Sequence, residues 1–281
     1  MASIQVVTDS ACDLTPATAE ERDLRVVPLT IRFGAEEFVD RDELSAKEFW
    51  DRVVTGTDMP ETAAPSPGTF QQAFLDAASA GHRGVICVTI SSGLSATYQA
   101  ARTAADTVAD RIAVRVVDTQ SVTMGQGLLA LAAADLAQRD VDLDDIAAAI
   151  EEMKARTHVY GVIDSLDYLK RGGRIGGAAH LMGSLLSIKP VIMVRDGAVD
   201  VESKQRTRSR SLQYLANKAI EAGELERVGV ANGVAPDFDE VLRLVTRARS
   251  QHELVVGELG PVVGSHAGPA SVGVSFITAA P

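Results

Sequence analysis

The chain has 281 residues, enough for one large domain or two of ordinary size, and its 46% hydrophobic and 23% charged content is that of a globular protein with a sizeable core. A net charge of −11 sets the surface against nucleic acid and anionic membrane, and 4% aromatics leave few rings for stacking bases. Two cysteines make neither a disulfide framework nor a zinc site, no run approaches the roughly 18 apolar residues of a membrane span, and the N-terminus has no signal-peptide pattern, so a soluble, cytoplasmic protein is expected.

The first elements read as a strand at Ile4–Thr8, a polar turn at Asp9-Ser10, and a helix from about Pro16 to Arg22 capped by Asp13 or Thr15. Cys12, in that turn, is expected to be the more exposed cysteine; Cys87, in the apolar run Val85–Val88, the buried one. Leu24–Phe38 alternates around Gly34 and predicts short strands outside the main sheet, and Ser45–Val54 predicts an amphipathic helix carrying Trp50. Thr55–Pro67 reads as a turn-rich link. Ser66-Pro67 is a helix start, with serine as N-cap and proline at the first helical position, for a helix to about Ser79. A buried strand at Gly84–Ile90, a loop at Ser91–Ser95, a helix at Ala96–Ala109, a strand at Ile112–Asp118 and helices at Met124–Gln138 and Leu143–Arg156 follow. This alternation predicts βαβ units and a parallel sheet covered on both faces.

The rhythm then changes. A strand is expected at His158–Ile163, a short helix at Leu166–Lys170, a helix at Ala178–Leu186, and a hairpin of Pro190–Val194 with Ala198–Val201 about Asp196-Gly197. Arg206–Ala222 and Asp237–Ser250 predict helices, and Val228–Ala231, Leu254–Glu258 and Val272–Ile277 strands. The expected fold class is α/β with two domains, an N-terminal parallel-sheet (Rossmann-like) domain over residues 1–157 and a C-terminal α/β sandwich over 158–281, with the ligand between them.

Three polar, glycine-flanked segments carry candidate chemistry. Ser165–Val194 runs from a cationic, glycine-dense patch (Lys170, Arg171, Gly172, Gly173, Arg174) into an apolar stretch, which suits a ligand with an anionic head and an oily tail. The plainer reading of these arginines is a surface ion pair. Ser91-Ser92-Gly93-Leu94-Ser95 follows a buried strand and opens a helix, the place where ligands collect in α/β sheets. Its N–H groups and hydroxyls could cradle a carboxylate or phosphate, or Ser92 or Ser95 could merely cap the helix. In Gly264–Pro269 the glycines let the backbone turn sharply around His266, whose imidazole could meet an anion; a lone histidine is more often a bystander. Thr62, just ahead of the helix start, is a fourth candidate, and Ser66 beside it reads as a cap. Asp9-Ser10 could support such a site from behind or simply form a capping turn. Gly125-Gln126-Gly127 fits a dinucleotide fingerprint on paper but lies inside a predicted helix, where glycine serves close packing. The four remaining histidines have no metal-ligand spacing, and there is neither a P-loop nor a Gly-x-Ser-x-Gly elbow.

Together these motifs resemble the DegV family, the fatty-acid-binding subunits of bacterial fatty acid kinase. The resemblance is carried by Val7–Leu14, Thr62 with Pro65-Ser66-Pro67, Ile90–Ala101, Asp118–Gly127, Leu166–Gly176, Ile188–Gly197, Arg206-Thr207-Arg208 and Gly264–Val274, in family order over nearly the whole chain. Ala63-Ala64 departs from the family's usual Ser-Gln, and Ala96 from its usual glycine. The resemblance implies a long-chain fatty acid in a buried tunnel, its carboxylate met by Thr62 and Ser92, with Ser95 and His266 near it and Arg174 and Arg206 by the head group or on the surface facing a kinase partner. Candidates for the tail lining lie in Ala178–Met193. It further implies no catalytic residue, no metal and no cofactor beyond the bound acid: a separate ATP-binding subunit makes the acyl phosphate, a step towards phospholipid synthesis. The competing expectation is a stand-alone hydrolase or phosphotransferase acting on a small anion. An RNA-binding role for Arg171 and Arg174 is a third reading.

Overall fold

The computed structural model describes residues 3–181, 188–248 and 254–280. In chain order its elements are β1 Ile4–Asp9, α1 Pro16–Glu21, β2 Leu24–Val27, β3 Thr30–Phe33, β4 Glu36–Val39, α2 Ala46–Thr55, β5 Pro60–Ala63, α3 Pro67–Ser79, β6 Gly84–Thr89, α4 Thr97–Thr107, β7 Ala113–Asp118, α5 Met124–Gln138 and α6 Leu143–Ala155. They continue with β8 Thr157–Val162, α7 Asp167–Arg171, β9 Lys189–Arg195, β10 Ala198–Gln205, α8 Arg208–Glu221, β11 Leu225–Gly233, α9 Phe238–Ala248, β12 Leu254–Glu258, α10 Pro261–Ala267 and β13 Ser271–Thr278.

The first sheet has the order β2-β1-β6-β7, and every pairing in it is parallel. All six residues of β6 are buried, the signature of a strand covered on both faces. Strand alternation sorts them: Val7, Val85 and Cys87 pack with Phe70 and Phe74 of α3 and Ala101 and Ala104 of α4, whereas Val6, Ile86 and Val88 join the core around α5 and α6. Helix starts follow their caps. Ser66 accepts from the Thr69 amide with Pro67 in the first turn, Ser45 and Glu48 form a reciprocal capping box on α2, and Thr15 caps α1.

The second sheet is mixed, in the order β10-β9-β8-β13-β11-β12, with only β11–β12 parallel. One face packs on α8 and α9 through Tyr160, Val162, Val272, Val274 and Phe276. The other faces α5. That helix is buried on all sides, with twelve of its fifteen residues inaccessible, because it lies between the two sheets rather than on a surface. The Gly125–Gly127 pair lies within it, as expected. A Cβ at Gly125 would stand 2.3 Å from Val159, and one at Gly127 2.7 Å from the Cys12 carbonyl, so these glycines serve close packing.

Four expectations change. Thr55–Pro67 is more than a link: Pro60–Ala63 is β5, the outer strand of a small antiparallel sheet β4-β3-β5, added by pairing with β3 that no local pattern announces. Cys12 is fully buried, in a 3-10 turn beneath α5, and burial pushes its thiol up to about 11. Gly264–His266 lies on α10, and the sharp turn comes after it at Gly268, where φ is +74. The stretch expected to be a helix from Ala178 begins as a 3-10 turn over Gly176–Leu181, and its remainder, 182–187, lies outside the described residues.

Candidate functional site

Thr62 enters through β5, where it stands opposite Ile31 of β3. His266 enters through α10, whose seat is fixed by contact with α2. A Cβ at Gly264 would meet the Phe49 ring at 2.6 Å, and Trp50 Nε1 donates to the Leu259 carbonyl at 2.9 Å. The two meet: Thr62 Oγ1 and His266 Nε2 share a hydrogen bond of 2.9 Å across 204 residues of sequence. The Nδ1 edge of the imidazole lies against the glycine-dense patch, since a Cβ on Gly172 would fall 2.1 Å from His266 Nδ1. Arg174 lies close by, its Nε donating to the Leu94 carbonyl at 2.9 Å and one Nη to the Gly172 carbonyl at 2.6 Å. Burial first, then the Arg174 charge, push His266 down to about 4, so the ring is neutral near pH 7.

These groups border a cavity of about 1080 Å³ of empty space, mouth included. Thr62, Ser95, Arg174 and His266 all line it, and most of the remaining wall is aliphatic, with Leu94, Ile163, Ile192, Val199 and Val262 among its residues. It is bounded by β8, β9 and β13 on one side and by the Ser91–Ala96 loop, the α5 N-terminus and α10 on the others. Among its described residues the segment Ala178–Met193 contributes only Ile192 and Met193; the rest of the described wall comes chiefly from strands and loops spread across the chain.

Two expected site residues stand apart. Ser92 is exposed, lines no part of the cavity, and donates its hydroxyl to Asp118 Oδ2 at 2.5 Å while its amide donates to Oδ1. Three residues on, Ser95 lines the cavity and exchanges a hydrogen bond with Thr97 Oγ1 at 2.8 Å. Arg206 is exposed at the end of β10, outside the lining. Asp9 is fully buried behind the Ser91 loop, accepting from the Ile90 amide at 2.8 Å, and burial pushes it up to about 6.

Sequence reasoning missed how the loop is held. Ser91 Oγ donates to the Gly197 carbonyl at 2.6 Å and accepts from the Gly93 amide, locking the loop onto the β9–β10 turn. The Asp-Gly turn and the double serine were both legible; their meeting was not. Among the described residues no group of His, Cys, Asp and Glu could hold a metal ion, and no helix is long and apolar enough to cross a membrane.

An α/β protein with an aliphatic cavity and a small polar cluster at its edge is built for an amphiphile rather than a compact polar metabolite. The family profile described as "Uncharacterised protein, DegV family" matches residues 3–279, and this chain belongs to that family. It is 36% identical over 281 residues to a DegV domain-containing protein of Deinococcus radiodurans, covering 98% of each chain, and 34% identical to one of Streptomyces coelicolor, covering 96% of this chain and 97% of that one. Among solved structures it resembles a DegV family protein from Thermus thermophilus described by its fatty acid binding (TM-score 0.88, 30% identity, 99% of this chain and 100% of that one). It also resembles DegV of Bacillus subtilis, described as a fatty acid binding protein (TM-score 0.86, 28% identity, 99% and 100% covered). A third is a stearic acid-binding protein from Eubacterium ventriosum (TM-score 0.88, 26% identity, 98% of each chain).

Proposed function

We propose that this chain binds a long-chain fatty acid, tail in the cavity and carboxylate beside Thr62 and His266, and presents that carboxylate to a separate ATP-binding kinase subunit for acyl phosphate formation. The carrying observation is the Thr62–His266 pair bordering an otherwise largely aliphatic cavity, with Ser95 and Arg174 also in its lining. The fatty acids named for the related structures support it.

The physics is consistent. Each buried methylene contributes about 0.8 kcal/mol, so a tail of ~16 carbons offers on the order of 10 kcal/mol before ordering costs. The head group needs only to escape the penalty of an unpaired buried charge. Thr62 and Ser95 hydroxyls can each donate to a carboxylate oxygen, neutral His266 can donate from Nε2, and Arg174 supplies the nearby cation. Ser92, already bonded to Asp118, acts on the loop instead. A carboxylate held this way stays ionised, and one of its oxygens can attack the terminal phosphorus of ATP on the partner as the bond to ADP breaks.

In this reading the polypeptide divides near residue 157 into two lobes that close on the ligand, it does not itself bind ATP, and it works in the cytoplasm. Native mass spectrometry of freshly purified protein should find an acyl ligand; protein free of one, which also takes up no added palmitate or oleate, would overturn the reading. Arg206 is exposed and outside the lining, which supports a role towards the partner. Arg206→Ala should lower acyl phosphate formation with the kinase while leaving fatty-acid affinity within about twofold; loss of both together would put Arg206 on the ligand instead.

A further inference from the structure

One row of residues crosses all six strands of the second sheet on the face towards α5. Cα pairing runs from Val201 to Ile192, Gly161, Gly273, Ala231 and Gly257. Four adjacent strands therefore present nothing larger than a methyl group. At one end the reason is plain: a Cβ at Gly257 would stand 2.6 Å from Met124 Sδ and 2.7 Å from the Asp13 carbonyl, so α5 and the turn after β1 fill that space.

At Gly161 and Gly273 the reason is different. Neither glycine has a left-handed backbone. A Cβ at Gly161 would meet Ile192 at 3.5 Å and one at Gly273 would meet Ala231 at 3.7 Å, both ordinary contact distances. Neither backbone conformation nor packing requires glycine here, and glycine weakens a strand interior. Both residues line the cavity, and Ile192, next to Gly161 in the row, lines it too and keeps partial exposure.

We propose that the Gly161–Gly273 pair is a specificity-determining element: bare backbone where two central strands meet gives the acyl chain its running room, with Ile192 as the side wall. This rests on the fatty-acid reading above and adds which residues set the accepted chain. Side chains at these two positions project into the cavity and shorten the longest acid that fits.

The test measures affinity for a series of saturated acids of about 8 to about 18 carbons on the full chain and on Gly161→Val and Gly273→Val. Each methylene denied the cavity should cost about fourfold in affinity, the factor equivalent to ~0.8 kcal/mol, so the longest acids should bind at least about tenfold more weakly and the shortest about as before. Gly161→Ala and Gly273→Ala, for which space exists, carry a smaller shift of the same sign and decide the matter if the valine variants do not fold. Ile192→Ala should move the preference towards longer or kinked chains. An unchanged length profile in the folded variants, or an equal loss at every length, overturns the proposal. A wild-type chain that binds no acid in the series overturns the fatty-acid reading itself.

Discussion

The two ends of one row of small residues carry opposite meanings. At Gly257 the sheet is bare because Met124 and the Asp13 backbone press against it; at Gly273 and Gly161 it is bare beside open space. Composition alone does not separate them. Glycine in a strand marks a close approach, and only the neighbour shows whether protein or ligand makes it.

The packed end breaks first. Gly257→Val forces a branched side chain into Met124 and a main-chain carbonyl that cannot move away, and should cost about 3 kcal/mol or more, read as a lower denaturant midpoint at unchanged slope. A loss within about 0.5 kcal/mol would mean that α5 is not seated against this end. Thr62→Val, nearly isosteric, removes the hydroxyl that meets His266. It should weaken fatty-acid binding about tenfold while leaving the methyl ester of the same acid unaffected. An equal loss for acid and ester would place Thr62 against the tail.

Asp13, at the packed end, adds a pH dependence. Burial pushes it up to about 8, against the amide of Gly260, which donates to Oδ1 at 2.9 Å, and the Arg41 charge. Its ordinary value is 3.8, so between that and about pH 8 the folded chain holds a proton that the unfolded chain has released. Stability contributed by this group therefore falls as pH rises through that window. Asp13→Asn keeps an acceptor for Gly260 and never ionises. Its melting temperature relative to wild type should rise by a few degrees between about pH 5 and about pH 8. A pH-independent difference would mean that Asp13 is already ionised in the fold. The smallest effects belong to the serine loop. Ser95→Ala should weaken binding about threefold and Ser92→Ala by less than twofold, measured by the same titration. The reverse order would move the head group out to the Asp118 side.

Much was legible locally. The cap at Ser66-Pro67, the hairpin at Asp196-Gly197, the buried run of β6 and the span of α5 all follow from short-range rules, because caps, turns and uninterrupted apolar runs express themselves within a few residues. β5 was not legible: Pro60-Glu61-Thr62-Ala63 has no alternation to read and becomes a strand only because β3 offers a free edge. Cys12 looked like an exposed loop residue because the helix that covers it lies more than a hundred residues downstream. Ser92, expected at the carboxylate ahead of Ser95, stands apart for the same kind of reason. Both sit in one hydroxyl-rich loop, and Asp118, 26 residues from Ser92, occupies the hydroxyl of the first.

Short-range sequence signals sufficed for most of the elements, the α/β class, the cationic patch and, through its motifs, the family, but not for β5. Tertiary structure decided which hydroxyl faces the cavity, where Thr62 and His266 meet, and which glycines are filled and which are open. Periodicity and capping are energies of neighbouring residues. A cavity is the space that distant segments leave between them, and its shape is fixed only when the strands take their register and α5 and α10 are seated.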